Sequence, residues 1–146
     1  MAKLMETKLI KLMENKIVFW GAFFVFVICA LAFSSNDKLF TINGPLSAGK
    51  YIVWGVFLAF LSYSIYCSFK ESLFKSLAEI LQLHWGRQVG MDLYLGASLI
   101  LFIIYLNEGS LLVVALWILP IFSFINLATL LYFAIHFDSI VGKFLS

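Results

Sequence analysis

Residues 111–137 read LLVVALWILPIFSFINLATLLYFAIHF, a run of 27 residues without Asp, Glu, Lys or Arg. At about 1.5 Å per residue such a helix is about 40 Å long, whereas a bilayer core is about 30 Å thick and needs about 20 residues. The run therefore reads as a membrane span with length to spare, which predicts tilt or a kink. Pro120 is the expected kink site, because proline cannot donate to the carbonyl of Leu116 and its ring crowds the preceding turn.

Three more apolar runs lie upstream, two of them also free of charged residues. Residues 89–106 form one, joined to the last by the tight turn Asn107-Glu108-Gly109-Ser110, so these two spans are expected to pair as an antiparallel hairpin. Residues 51–69 and 17–33 form the others. The first run could alternatively be the core of a signal peptide, with Ala30-Leu31-Ala32 as the small-x-small site that would release residues 1–32. Its length and aromatic content favour a span.

Four spans with their connections fill the chain, so residues 1–146 read as a single membrane domain. The expected fold is all-α: a four-transmembrane-helix bundle with short amphipathic interfacial helices. Residues 1–16 place Met5, Leu9, Leu12 and Met13 on one helical face, while Lys3, Lys8, Lys11 and Lys16 can reach lipid headgroups. Residues 70–82 repeat the pattern, with Leu73, Phe74, Leu77, Ile80 and Leu81 opposite Lys70, Glu71, Lys75 and Glu79. In the second span, Gly55, Ala59, Ser62 and Tyr66 form a small and polar stripe suited to close helix packing.

Composition sets the same limits. Of 146 residues, 63% are hydrophobic and 12% charged, with a mean hydropathy of +1.02. Soluble domains carry about 45–50% apolar and about 25% charged residues, so too few polar groups remain to cover a soluble surface. A cytosolic enzyme, a disordered tail and a disulfide scaffold are excluded. The lysines suit anionic lipid headgroups, and no basic cluster interleaved with aromatics marks a nucleic-acid site. Cys29 and Cys67 fall at different depths of their spans, which argues for two packing thiols and against an internal disulfide.

With four crossings, Lys3, Lys8, Lys11, Lys16, Lys70, Lys75, Arg87 and Lys143 share one side, against Lys38 and Lys50 on the other. The positive-inside rule then puts both termini in the cytoplasm, in a plasma or inner membrane. The same topology gathers polar residues into one cytoplasmic vestibule: His84, Arg87, Gln88 and Asp92 of the third span, Tyr63 and Tyr66 of the second, and the stripe Asn126, Tyr132 and His136 of the fourth. Asp92 stands out, because a carboxylate inside a span is costly and marks function or a structural tie. His84, Gln88 and Asp92 recur every four residues and share a face, expected to turn inward.

No HxxxH, HExxH or CxxC spacing points to a metal, and no motif implies a cofactor. The reading most consistent with these features is a protein that binds a lipophilic ligand or a membrane-protein partner, or pairs as a homodimer. The alternatives are a small ion- or proton-coupled transporter using Asp92, and a membrane-embedded enzyme acting on a lipid or isoprenoid headgroup.

Overall fold

The computed structural model describes residues 15–34 and 48–145, together with Lys3, Leu4, Thr7 and Lys11. Most of the expected interfacial segment 1–16 and most of the first loop lie outside the described residues. Among these residues every regular element is a helix: α1 Lys16–Phe33, α2 Ala48–Lys70, α3 Leu73–Ile80, α4 His84–Glu108, α5 Leu111–Ile135 and α6 Phe137–Leu145. Helices α1, α2, α4 and α5 are each long and apolar enough to cross a membrane.

Local chemistry explains the boundaries. Asn15 caps α1 by accepting a hydrogen bond from the Ile17 amide at 3.3 Å. Gly109 ends α4 at φ 66°, a left-handed cap that glycine adopts without a Cβ clash. At the α3–α4 turn a Cβ on Gly86 would lie 1.8 Å from the Ile80 carbonyl oxygen, so only glycine allows that close approach. Gly86 thus serves the local turn.

The chain starts α1 at one end of the bundle, here called basal. The Trp20 indole N–H donates to Ser68 Oγ at 3.0 Å, and the Phe19 ring lies 6.2 Å from Phe74. The start of α1 therefore meets the end of α2 and α3. Helix α4 rises from the basal end beside α3 to the opposite, distal end at Glu108.

Helix α5 departs from a straight crossing. Its backbone leaves helical geometry at Phe124 (φ −125°, ψ 21°) and Ile125 (φ 6°, ψ −83°). The Trp117 and Tyr132 rings lie 5.0 Å apart, although 15 residues of continuous helix would separate their backbones by about 22 Å. His136 Nδ1 is 3.5 Å from Glu108 Oε1, where a straight helix would carry it about 37 Å beyond Leu111. The segment is thus a helical hairpin: a descending arm to Ser123, a turn at Phe124–Ile125, and an arm that returns to the distal end.

The turn comes four residues after Pro120, the expected kink. Proline removes a bond to Leu116 one turn earlier, but Ser123 and Asn126, whose short polar side chains favour non-helical backbone, flank the reversal itself. Thr129 Oγ1 donates to the Ile125 carbonyl at 2.8 Å and satisfies one acceptor freed by the turn.

Polar contacts lock the returning arm to the distal end. Buried Tyr132 donates its hydroxyl to Glu108 Oε1 at 3.0 Å and accepts from Asn107 Nδ2 at 2.8 Å. In α6, Ser139 donates to Asn107 Oδ1 at 3.0 Å, and Lys143 Nζ donates to the Asn107 carbonyl. Lys50, 1% exposed, pairs with Asp138 at 2.6 Å. The α2 helix begins at Ala48, three residues before the expected 51, which places Lys50 inside the helix. The sequence reading carried the chain across a fourth time and left both its ends on one side; instead α6 lies at the end opposite Lys16.

Helix α5 is the hub of the bundle: α1, α2 and α4 each pack against it and meet one another little. Its residues Trp117, Pro120, Ile121, Leu127, Ala128, Leu131, Tyr132, Ala134 and Ile135 are buried. The facing helices each present one stripe: Trp20, Phe23 and Val27 from α1, Trp54, Phe57 and Leu61 from α2, Ala97, Ile100 and Ile104 from α4. The Gly55, Ala59, Ser62 and Tyr66 stripe of α2 is exposed.

Two outcomes are expected. With Cys29 and Cys67 replaced by serine, Glu79→Cys and Gly142→Cys react with an impermeant maleimide from opposite sides of sealed vesicles; labelling from the same side would disprove the reversal. Tyr132→Phe lowers stability by about 1–3 kcal/mol, the cost of leaving buried polar partners unsatisfied, read as thermal unfolding in detergent.

Candidate functional site

Because α5 turns back before completing a crossing, the basal third of the bundle interior is not filled by it. The turn sits level with the middle of α4: the Phe122 ring stacks on Tyr94 at 5.5 Å. Tyr94 is ten residues above His84, about 15 Å along the helix axis. Below the turn lies an open cavity of about 450 Å³, within the ordinary range of about 300–1,000 Å³ for small-molecule sites.

The cavity lining is mixed. Phe19, Trp20, Phe60, Phe74, Leu93 and Phe124 supply apolar, largely aromatic surface. Tyr63, Ser64, Cys67, Ser68, Ser72 and Asn126 supply hydroxyl, thiol and amide groups. Lys16 and Glu71 stand at its basal rim. The polar lining follows from helical period: Ser64 and Ser68 continue the α2 stripe that carries Phe57 and Leu61 at its distal end.

The roof is the reversal itself. Phe124 lies 4.4 Å from the Phe19 ring, 4.5 Å from Phe23 and 5.9 Å from Trp20. This aromatic cluster covers non-helical backbone on the α1 side, while the cavity adjoins it on the other. Irregular backbone at membrane depth is tolerated only in such settings, buried in protein or lining a cavity. Part of the polar lining is already engaged: Ser64 donates to the Phe60 carbonyl at 2.8 Å, and Ser68 accepts from Trp20 at 3.0 Å.

The vestibule residues read from the sequence fall into three groups. Tyr63 and Asn126 line the cavity. Tyr66 is exposed beside it, its ring 6.5 Å from Tyr63 and 5.6 Å beneath the Lys70 ammonium. His84, Arg87, Gln88 and Asp92 lie exposed on α4, outside the cavity; Arg87 Nη2 contacts His84 Nδ1 at 3.1 Å. The shared face of His84, Gln88 and Asp92, expected to turn inward, points away from the bundle, and Leu93 faces the cavity in its place. Tyr132 and His136 belong to the distal cluster around Glu108. The physical reason is the α5 reversal, which carries everything after Ile125 back to the distal end.

Sequence reasoning missed Ser64, Ser68, Ser72 and Ser123 as one group, since they come from three segments brought together only by the hairpin. The spacing of Ser64 and Ser68 was a usable signal. Cys29 and Cys67 are both free and exposed, and Cys67 borders the cavity. Among the described residues no group of three His, Cys, Asp or Glu side chains is placed to hold a metal. No protein-family model, curated protein or solved structure matches this chain.

Phe124→Ala is expected to loosen the roof. Loss of three aromatic contacts, at about 0.5–1.5 kcal/mol each, lowers stability by roughly 2 kcal/mol, seen as a lower unfolding midpoint and faster alkylation of Cys67 with Cys29 unchanged.

Proposed function

We propose that this multi-pass membrane protein binds an amphipathic small molecule in the cavity beneath the α5 turn. One observation carries the reading: an open cavity of about 450 Å³ lined by aromatic rings together with hydroxyl, thiol and amide groups. Such a site offers a hydrocarbon tail an apolar surface and fixes a polar head by a few hydrogen bonds.

Charge supports a sidedness for the site. Lys16, Lys70, Lys75 and Arg87 lie at the basal end, while Lys50 and Lys143 lie at the distal end. The positive-inside rule puts the basal end and the cavity in the cytoplasmic leaflet. Helix α6 then faces the opposite compartment. In this setting α3 and α6 rest at the two membrane surfaces, with their apolar residues towards lipid.

The broken α5 supports a second reading, a small transporter, since unwound backbone and half-helix ends at depth form substrate sites in transporters. Coupling through Asp92 of a single copy lacks support, because Leu93 and not Asp92 faces the cavity. The enzyme reading lacks support for a similar reason: His84, Arg87 and His136 lie outside the cavity lining.

Dibromostearate is a suitable single-chain probe. It should quench tryptophan fluorescence saturably, with most of the saturable component lost in Trp20→Phe and in the cavity-filling Ser64→Phe. The same probe should slow maleimide labelling of Cys67 several-fold and leave Cys29 unchanged. Quenching that is non-saturable and equal in all three proteins would overturn the binding reading. Uptake of the probe into proteoliposomes would favour transport.

A further inference from the structure

The outward face of α4 carries an acid that the bundle does not use. Met91, Leu95, Leu99, Phe102 and Leu106 are 58–68% exposed, and at 100° per residue they fall on one stripe about 80° wide. Gln88 lies on that same stripe and Asp92 widens it to about 100°, both also exposed. Asp92 makes no hydrogen bond or ion pair among the described residues. It is 16 residues below Glu108, about 24 Å along the axis, and so inside a hydrocarbon core of about 30 Å measured from the distal end. Intramembrane carboxylates almost always face a protein interior or a water-filled cavity and are paired there. In one copy Asp92 has neither.

We propose that two copies of this chain pair through the outward face of α4, each Asp92 carboxylate accepting hydrogen bonds from the partner copy's Gln88 amide and Arg87 guanidinium. The face carries both halves of the interaction. Gln88 is one turn below Asp92 on the same stripe, about 6 Å along the axis, and Arg87 flanks it with a longer reach. A two-fold contact places the same patch on both subunits, so an acceptor and a donor offset by one turn satisfy each other twice. On a single helix Arg87 cannot do this, because five residues turn it about 140° away from Asp92. The apolar residues above, from Leu95 to Leu106, continue the seam towards the distal end. This interface is separate from the cavity, to which α4 contributes Leu93 and neither Gln88 nor Asp92, so its failure would leave the ligand reading intact.

The test uses the full chain in native membranes with Cys29 and Cys67 replaced by serine. Met91→Cys and Leu95→Cys should give a disulfide-linked dimer on mild oxidation, while Ala59→Cys, on the exposed stripe of α2, should stay monomeric. Native mass spectrometry of the unsubstituted protein in mild detergent should show twice the chain mass. Asp92→Leu should weaken the dimer about fiftyfold, in keeping with the loss of four interhelical hydrogen bonds across the two-fold, whereas Asp92→Asn, which keeps an acceptor, should dimerise nearly as well. A monomeric protein, cross-links through Ala59→Cys alone, an added mass from a different protein, or undiminished dimerisation of Asp92→Leu would each overturn the proposal.

Discussion

The hydrogen bonds among Tyr132, Glu108 and Asn107 are the constraint on which the rest of the architecture depends. They tie residues that follow the turn of α5 to residues that precede its start, so both arms must lie side by side. A buried tyrosine hydroxyl without a partner costs about 1–3 kcal/mol, and an unpaired carboxylate at the edge of an apolar bundle costs more. Joining them removes both penalties, and Ser139, Lys143 and the Lys50–Asp138 pair extend the same polar cap. With the distal end closed this way, the reversal at Phe124–Ile125 is the only path the chain can take.

A helix that turns back fills the bundle centre unequally. At the distal end two arms of α5 are packed among α1, α2 and α4, and the returning arm is nearly all buried. At the basal end there is no α5, and α1, α2 and α3 surround space instead. The cavity is thus a geometric consequence of the hairpin's length. Its chemistry comes from what those three helices and the turn present: aromatic rings from α1 and α3, serines and a thiol from α2, and Asn126 from the turn.

The same geometry separates polar residues that a four-crossing topology would gather. His84, Arg87 and Asp92 remain at the basal half of α4, whereas Tyr132 and His136 lie about a helix length away. Asp92 is left on the outer surface, where a second protein surface and not the bundle core must meet it.

Much of the fold was legible from sequence. The runs 17–33, 51–69 and 89–106 correspond to α1, α2 and α4, because twenty apolar residues at 1.5 Å rise have one inexpensive arrangement in a membrane. Gly109 ending α4 was readable from Asn107-Glu108-Gly109-Ser110. The candidate site was less legible: Tyr63 and Asn126 were named, but the aromatic neighbours Phe19, Phe60 and Phe124 were not. Composition, helix lengths and the basic excess around α1 to α4 are local properties, so the sequence alone determined them. Whether the last apolar run crosses or doubles back is not local. Both paths bury the same side chains, and the choice rests on which distant partners satisfy Tyr132, His136 and Asp138. Only the tertiary structure supplies those partners, and with them the cavity and the outward-facing Asp92.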